Sequence, residues 1–458
     1  MPLHIVSAIL FSPRGGSSYV ARALTGGLRA QGCDVTLLAG SRSDLDGLGD
    51  ARRFYGDEDL RVVDFDPAIA SDDPLAYVGP PGTAPMHPSF EDRPGAIDRV
   101  FAALDDDAYE RQVAAWSREL VAAGAAEADV LHLHHLTPLN EAAARVAPGV
   151  PVVGQLHGTE LLMLEAIDAD VQRWAHAEAW ARRLRRWAQE CSRILVADGA
   201  VGRARDLLEL EEERIVPLAN GVDTDMFRPR PVDRRAIWRE VLVECPRGWR
   251  PGGKAGSIAY QEDELGPLTD GTVVVYVGRF TAVKRLPLLI EAFAAANERT
   301  STPAGLVLIG GHPGEWEGEH PIETIARIRA RGVFLAGWYD HSRLAELLCA
   351  ADVVALASAR EQFGLVLVEG MACERPAVAT RSPGPVSIIS DGTTGWLTAD
   401  DSEDALAQAL AEAIDNHHER ADRGRAARRV ICENYTWDAI AERLAAVLED
   451  VVLPSMAT

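Results

Sequence analysis

Lysine is almost absent from this 458-residue sequence, which contains only Lys254 and Lys284. Nearly all of the positive charge is arginine. The 46 basic residues stand against 69 acidic ones, for a formal net charge of −23. That balance argues against nucleic acids and anionic membranes as partners, because the chain would repel a polyanion. A lysine retained in such a sequence is a candidate for a functional role.

Cysteine pairs and long apolar runs are also missing. The six cysteines form no C-x-x-C pair, and no run of 18 apolar residues occurs. These absences favour reduced thiols over a disulfide framework or a zinc site, and they argue against a membrane-spanning helix. The N-terminal MPLHIVSAILF is too short and too uncharged to be a signal peptide. We therefore expect a cytoplasmic protein without stable membrane association.

Two nucleotide-binding motifs are absent as well. The sequence has no G-x-G-x-x-G and no G-x-x-x-x-G-K-[ST], which argues against hydride-transfer dinucleotide enzymes and P-loop enzymes. Asp-x-Asp triplets hold a metal on the diphosphate in some sugar transferases. They recur throughout this acidic chain and indicate nothing specific. We predict no bound metal and no cofactor.

Short β-branched runs alternate with helix-patterned segments in two series, the pattern of parallel sheets covered by helices. The first series comprises residues 4–10, 34–40, 129–135, 150–157, 193–198 and 214–220. The second comprises residues 272–278, 305–311, 333–338, 352–358, 376–382 and 395–399. Segments 80–116 and 231–270 interrupt this rhythm and are interpreted as insertions. The pattern predicts two α/β domains with a boundary near residue 225.

Arg279 and Lys284 follow the strand VVVYVG, at the start of the next helix. Arginine can bond two phosphate oxygens in a fork, lysine adds a mobile charge, and the helix N-terminus adds its partial positive charge. This arrangement suits a diphosphate. The alternative is a solvated basic turn.

Further candidate residues lie at or near the ends of three strands of the first series. Gly15 and Gly16, between the first strand and a helix, would let a ligand approach the backbone closely, although glycine pairs also serve simply to form turns. His157 ends an apolar run and could bond a sugar hydroxyl or phosphate, or be structural. His132 and His134 share one side of a strand and could form a metal pair, but hydrogen-bonded histidines are the favoured interpretation.

Two acids flank the start of a helix in EQFGLVLVEGMACERP. Eight helical steps would place Glu361 and Glu369 about 12 Å apart along the axis, which approaches the distance from sugar ring to ribose in a nucleotide sugar. One acid could accept bonds from the donor sugar and the other from the ribose diol, with the amides of Phe363, Gly364 and Leu365 beside them. The alternative is two exposed acids near the helix end, although Glu369 lies in a run too apolar for an exposed face.

These residues resemble glycosyltransferase family 4, whose members are retaining enzymes of the GT-B fold. The resemblance rests on GRFTAVKR, on EQFGLVLVEGMACERPAVAT as an E-x7-E motif, on SPGPVSII and SDGTTGWL after it, and on HGTE, RIVPLANGVDTDMFRP and the early Gly-Gly loop. It implies two Rossmann-like domains whose sheets face each other across a cleft. It implies an acceptor-binding domain at 1–225, a nucleotide-sugar-binding domain at 226–432 and a helix at 433–458 that crosses back to the first domain.

The resemblance also implies roles for the candidate residues. Arg279 and Lys284 would hold the donor diphosphate, Glu369 the ribose and Glu361 the transferred sugar. Gly16 would pack against the phosphates, with Gly15 beside it, and His157 would lie at the sugar. Family members generally need no divalent metal.

Two departures affect what this chain would accept. Gln362 replaces the glycine of the common E-G-F-G, and Glu374 with Arg375 stand where a glycine usually follows Ala-Cys. Because Gln362 can change which sugar hydroxyls are contacted, the resemblance does not identify the donor sugar. The expected partners are a nucleotide sugar, with UDP as the common nucleotide, and a small soluble acceptor such as an aminocyclitol or another natural-product core. The alternatives are an epimerase or a C–N coupling enzyme on the same scaffold, or a non-catalytic nucleotide-sugar-binding protein.

Overall fold

The computed structural model describes residues 2–13, 15–45, 47, 49–56, 59–92 and 97–453. Within these ranges the chain forms two compact units. One combines the residues up to Ala219 with the final helix, and the other is Asn220–Thr436. Each unit is built around a parallel sheet covered by helices, which confirms the predicted fold class.

The first unit contains a parallel sheet with helices on both faces. Its strands are β1 (His4–Ile9), β2 (Asp34–Ser41), β3 (Leu60–Asp64), β4 (Val130–His134), β5 (Val152–Gln155), β6 (Arg193–Val196) and β7 (Ile215–Pro217). The helices among them are α1 (Gly16–Ala30), α2 (Ala51–Tyr55), α3 (Asp66–Ile69), α4 (Asp106–Ala122), α5 (Pro138–Val146), α6 (Thr159–Ala169), α7 (Ala177–Glu190) and α8 (Val201–Leu208). The described strands follow the order β3-β2-β1-β4-β5-β6-β7.

Strand β3 was not predicted from the sequence. It is short, it lies at the edge of the sheet, and Val63 is its one fully buried residue within LRVVD. An edge strand between acidic segments lacks the continuous apolar run that marks a strand buried on both faces.

The segment at 80–116 belongs to the core of the first unit. Phe101 stacks on Trp180 of α7 with ring centroids 4.7 Å apart, and Trp116 of α4 is fully buried. The interruption of the strand pattern therefore corresponds to a connection that packs its aromatic residues against the helical layer.

The second unit repeats this architecture. Its strands are β8 (Thr272–Val277), β9 (Ala304–Ile309), β10 (Val333–Gly337), β11 (Val353–Leu356), β12 (Ala377–Ala379) and β13 (Gly395–Leu397). Its helices are α9 (Arg234–Arg239), α10 (Gly266–Thr269), α11 (Leu286–Arg299), α12 (Pro321–Ile328), α13 (His341–Cys349), α14 (Leu365–Ala372), α15 (Pro383–Ile388), α16 (Glu403–Asp415) and α17 (His417–Asn434). The described strands pair in parallel in the order β10-β9-β8-β11-β12-β13.

The stretch at 231–270, interpreted from the sequence as an insertion, packs into the second unit. Trp238, Trp249 and Leu265 are buried, and the Trp249 ring stacks on Phe280 with centroids 5.8 Å apart. Nε1 of Trp249 donates to the Gly311 carbonyl at 3.3 Å. The glycines shape the turns, while the tryptophans between them bury the segment against the second sheet.

The last helix, α18 (Trp437–Val452), belongs to the first unit and packs against α1. A Cβ added at Gly27 of α1 would lie 2.4 Å from the Cβ of Ala441, so the two helices are in direct backbone-level contact there. None of the helices within the described ranges combines the length and the apolar character that crossing a bilayer requires.

Gly27→Ala should therefore destabilise the first unit. Overpacking of a close helix contact lowers the free energy of unfolding by about 1–3 kcal/mol. The neighbouring Gly26 is the matched control, because an added Cβ there meets nothing within 4 Å. Gly26→Ala should leave stability unchanged or raise it by up to ~1 kcal/mol, since alanine is the better helix former. Urea unfolding of both variants is the measurement, and equal stability would show that α18 does not pack closely on α1.

Candidate active site

The candidate residues of the second unit converge at one edge of its sheet. β8 and β11 are neighbours, so the loops at their carboxyl ends meet. The loop after β8 contains Arg279 and a 3₁₀ turn at Ala282–Lys284, and the loop after β11 contains Glu361. Lys284 and Glu361 are 77 positions apart in the sequence, yet their side chains are in contact.

That contact is an ion pair between Nζ of Lys284 and Oε2 of Glu361. Both side chains are largely buried, with 22% and 13% of their surfaces exposed. The sequence predicted both residues as site residues but not that they would touch. An anionic ligand that reaches Lys284 must compete with this carboxylate for the ammonium group.

Arg279 lies in the same neighbourhood. Oη of Tyr276 donates to the Arg279 carbonyl at 2.7 Å and so ties the end of β8 to the loop. Burial raises the pKa of Tyr276; the charge of Glu361 adds to this rise and the charge of Arg279 opposes it. Arg279 and Glu361 therefore both lie near this buried tyrosine, and Lys284 is paired with Glu361.

Two close backbone approaches hold these loops in place. A Cβ at Gly310 would lie 2.1 Å from the carbonyl oxygen of Gly278, and one at Gly384 would lie 2.3 Å from that of Phe363. The amide of Gly384 also donates to the Glu361 carbonyl at 2.8 Å. Because side chains are excluded at both points, the loop backbones pack directly against each other.

Helix α14 begins at this edge. Gly364 precedes it with φ of 93°, a left-handed conformation that favours glycine, and no described side chain caps the helix. The amide of Leu367 donates to the Gly364 carbonyl at 2.8 Å, and the first-turn amides before it keep the hydrogen-bonding capacity that suits an anion. Phe363 is buried before this turn and Leu365 opens the helix, so the predicted group 363–365 forms the N-terminus of α14.

Glu369 lies farther along α14 and is buried, as the apolar flanks of its sequence predicted. Its Oε1 accepts a hydrogen bond of 2.5 Å from Nε2 of His341. His341 is the first residue of α13, which follows β10. His341 was not among the site residues predicted from the sequence. The available signal was the position of a histidine just past the carboxyl end of a predicted strand.

Gln362 is one of the residues that depart from the family pattern, and its side-chain amide is buried without a described partner for either Oε1 or Nε2. Burying such a group unpaired costs about 1–3 kcal/mol. The orphaned amide stands next to Glu361 in the loop.

In the first unit, His157 belongs to a cluster of histidines at the carboxyl ends of β4 and β5. Nδ1 of His134 and Nε2 of His157 share a hydrogen bond of 3.1 Å. His132 donates from Nε2 to Oε1 of Gln155 at 2.9 Å, and Nδ1 of His135 contacts Oε1 of Glu160 at 2.6 Å. His132 and His134 thus take part in hydrogen bonds. In the described ranges, no group of three or more His, Cys, Asp or Glu residues is arranged to bind a metal ion.

Burial favours the neutral imidazole at His132, His134 and His157. It lowers the pKa of His132 to about 4 and holds the pKa of His134 and of His157 well below the usual value of 6.5. Among the described atoms, Nε2 of His134 has no hydrogen-bond partner, whereas Nδ1 contacts His157. A proton on Nε2 would be a buried donor without an acceptor, so the proton of His134 is placed on Nδ1. His134 then donates to His157, and His157 keeps its own proton on Nδ1.

Gly15 and Gly16 lie at the start of α1, after β1. Gly15 is exposed, and an added Cβ there would meet nothing within 4 Å. Internal packing therefore does not require glycine at this position.

The comparisons with known proteins agree with this geometry. Residues 14–226 match the family model described as Glycosyltransferase Family 4, and residues 260–430 match the model described as Glycosyl transferases group 1. Together these models span both units. The fold and the matches define a GT-B glycosyltransferase. The two matches together support a family 4-type glycosyltransferase.

Several curated relatives are enzymes. The chain is 24% identical to the N-acetyl-alpha-D-glucosaminyl L-malate synthase of Bacillus anthracis, over 71% of this chain and 75% of the relative. It is 27% identical to the alpha-D-kanosaminyltransferase of Streptomyces kanamyceticus, over 67% of this chain and 72% of the relative.

Solved structures share the fold. HepE of Anabaena, in complex with UDP and glucose, superposes with a TM-score of 0.66 over 98% of this chain and 99% of its own, at 18% identity. Sucrose-phosphate synthase of Thermosynechococcus elongatus gives 0.68 over 99% of this chain and 100% of its own, at 17% identity.

The buried histidines should make the first unit acid-sensitive. Its His132 takes up a proton only near pH 4, whereas the unfolded chain takes it up near 6.5. Stability is therefore lost as pH falls from about 6.5 towards 4, by ~2 kcal/mol between pH 7 and pH 5. His132→Gln can still donate to Gln155 and should flatten this part of the pH–stability curve. His417→Ala, an exposed histidine of the second unit, should not. Identical curves for wild type and His132→Gln would contradict the assignment.

Proposed function

We propose that this protein is a retaining glycosyltransferase that moves a sugar from a nucleoside diphosphate sugar to a hydroxyl of a small soluble acceptor. UDP is the expected nucleotide. The single observation that carries the proposal is the meeting of Lys284 and Glu361 beside Arg279 and the N-terminus of α14. A diphosphate needs cations and free amides, and a sugar hydroxyl needs a carboxylate next to them.

The mechanism follows from where charge grows. When the bond from the anomeric carbon to the β-phosphate oxygen breaks, negative charge develops on the departing diphosphate. Arg279, Lys284 and the amides of Phe363, Gly364 and Leu365 are positioned to stabilise that charge without a metal. The acceptor oxygen bonds to the anomeric carbon on the same face, and its proton passes to the departing phosphate oxygen.

The remaining residues position the donor. Glu361 accepts bonds from the transferred sugar, which requires it to exchange Lys284 for sugar hydroxyls when the diphosphate arrives. Glu369 accepts from the ribose. In this proposal His157, a neutral imidazole with a proton on Nδ1, orients the sugar, while Gly15 and Gly16 leave room for the diphosphate.

The acceptor class rests on charge and on the relatives. A net charge of −23 favours an uncharged or cationic acceptor over an anionic surface. One relative is named for an L-malate product, which is a small molecule, and another is named only for the kanosaminyl group that it transfers. We propose an aminocyclitol or a similar natural-product core as the acceptor.

Lys284→Ala should weaken nucleotide-sugar binding by about 10- to 100-fold, because one charge-assisted contact to the diphosphate is lost. Thermal shift across a panel of nucleotide sugars, with and without EDTA, is the measurement. Lys254→Ala is the matched control, since Lys254 is the other lysine and is exposed in a turn. Stabilisation of the wild type by no nucleotide sugar would overturn the proposal. Stabilisation that EDTA abolishes would overturn metal independence.

Release of free nucleoside diphosphate separates the alternatives. A transferase releases it only when an acceptor is supplied, a C–N coupling enzyme releases it with an amine acceptor, and an epimerase or a binding protein releases none. Proton NMR of the new glycosidic bond then reports whether the anomeric configuration is retained.

Gln362 should set which donor sugar is used, because its buried amide has no described partner and stands beside Glu361. Gln362→Leu keeps the bulk but not the amide. It should lower kcat/KM for the preferred sugar by about tenfold and leave affinity for the nucleoside diphosphate unchanged. Competition between donors that differ at one hydroxyl is the measurement. An unchanged preference would show that the Gln362 amide does not contact the sugar.

A further inference from the structure

We propose that His341 is a positioning residue for the donor ribose: it holds one oxygen of Glu369 so that the other faces the ribose diol. This inference rests on the proposed function, and it concerns a residue that neither the motifs nor the family comparison indicates. It starts from the 2.5 Å hydrogen bond between Nε2 of His341 and Oε1 of Glu369.

Because Glu369 is buried, this hydrogen bond determines how its carboxylate is oriented. Its side chain is only 7% exposed, so bulk water cannot satisfy the carboxylate. Within the described residues, His341 is the one side chain that donates to it. The terminal torsion of a glutamate is broad and nearly two-fold, so an unheld carboxylate would rotate. The imidazole selects one rotamer and leaves Oε2 as the acceptor for a ligand.

His341 is itself held in place. Asp340 caps α13 by accepting from the amide of Arg343 at 3.1 Å, which fixes the turn that carries the imidazole. The ring of Phe227 packs edge-on against His341 with centroids 5.3 Å apart. A side chain fixed by a helix cap and by an aromatic neighbour can transmit a defined orientation to Glu369.

The packing of two helices explains how these residues meet. Glu369 is carried by α14, which follows β11, and His341 by α13, which follows β10, and these strands are separated in the sheet by β8 and β9. Helices α13 and α14 contact each other, and the hydrogen bond forms between them. The bridge therefore links the two helices next to the proposed nucleotide site, where a shift of either would move the carboxylate.

The test compares three ligands: the nucleoside diphosphate that stabilises the wild type most, its 2′-deoxy counterpart and inorganic pyrophosphate. Calorimetry on the full chain gives each affinity. His341→Ala should lower the affinity for the nucleoside diphosphate by about tenfold, to a value close to that for the 2′-deoxy form. The reason is that Glu369, no longer held by the imidazole, loses its contact with the ribose diol. Pyrophosphate binding should be unchanged. KM for the nucleotide sugar should rise more than kcat falls.

His341→Gln is the conservative variant, because its amide can still donate to Glu369. It should recover most of the discrimination between ribose and 2′-deoxyribose. His418→Ala, at an exposed histidine of α17, is the control and should behave as wild type. An unchanged ratio between the two nucleotides in His341→Ala would overturn the inference, and so would an equal loss for pyrophosphate, which would indicate general damage. If the wild type binds no nucleoside diphosphate at all, the proposed function fails, and this inference fails with it.

Discussion

An ion pair between the second of two lysines and the first acid of an E-x7-E motif organises the candidate site. Lys284 and Glu361 neutralise each other at the carboxyl edge of the second sheet, in a largely buried setting where each charge stabilises the other. The pair therefore keeps the ammonium group of Lys284 near the N-terminus of α14, which no described side chain caps. In the proposed function, a diphosphate takes the place of Glu361 at the lysine, and the carboxylate then accepts from a neutral partner such as a sugar hydroxyl.

Close backbone packing holds the loops that carry Lys284 and Glu361 in fixed positions. The glycine contacts at Gly310 and Gly384 press neighbouring loops together without side chains, and the left-handed Gly364 turns the chain into α14. The site is therefore formed by loops whose positions follow from the strand order. The same edge carries the bond from His341 to Glu369, so charge and hydrogen bonding are set by elements far apart in the sequence.

The sequence predicted the fold where the pattern was continuous. Both parallel sheets follow from β-branched runs separated by helical segments, and the burial of Glu369 follows from its apolar flanks. Strand β3 was missed because an edge strand carries a mixed pattern. The stretch containing Trp249 was misjudged because turn residues outnumber the tryptophans that bury it. The contact of Lys284 with Glu361 depends on β8 and β11 being neighbours, and that of His341 with Glu369 depends on the packing of α13 against α14. The local sequence pattern encodes neither. The roles assigned to Arg279, Lys284, Glu361, Glu369, His157 and the glycines stay predictions.

Calorimetric titration of a nucleoside diphosphate into wild type and Glu361→Gln tests the central claim most directly. If Glu361 holds Lys284 until the diphosphate arrives, removing its charge frees the ammonium group. Affinity should then rise by about threefold, in line with a partly exposed ion pair. Weaker binding to Glu361→Gln than to the wild type would contradict the account, because it would mean that the carboxylate supports the nucleotide rather than competing with it.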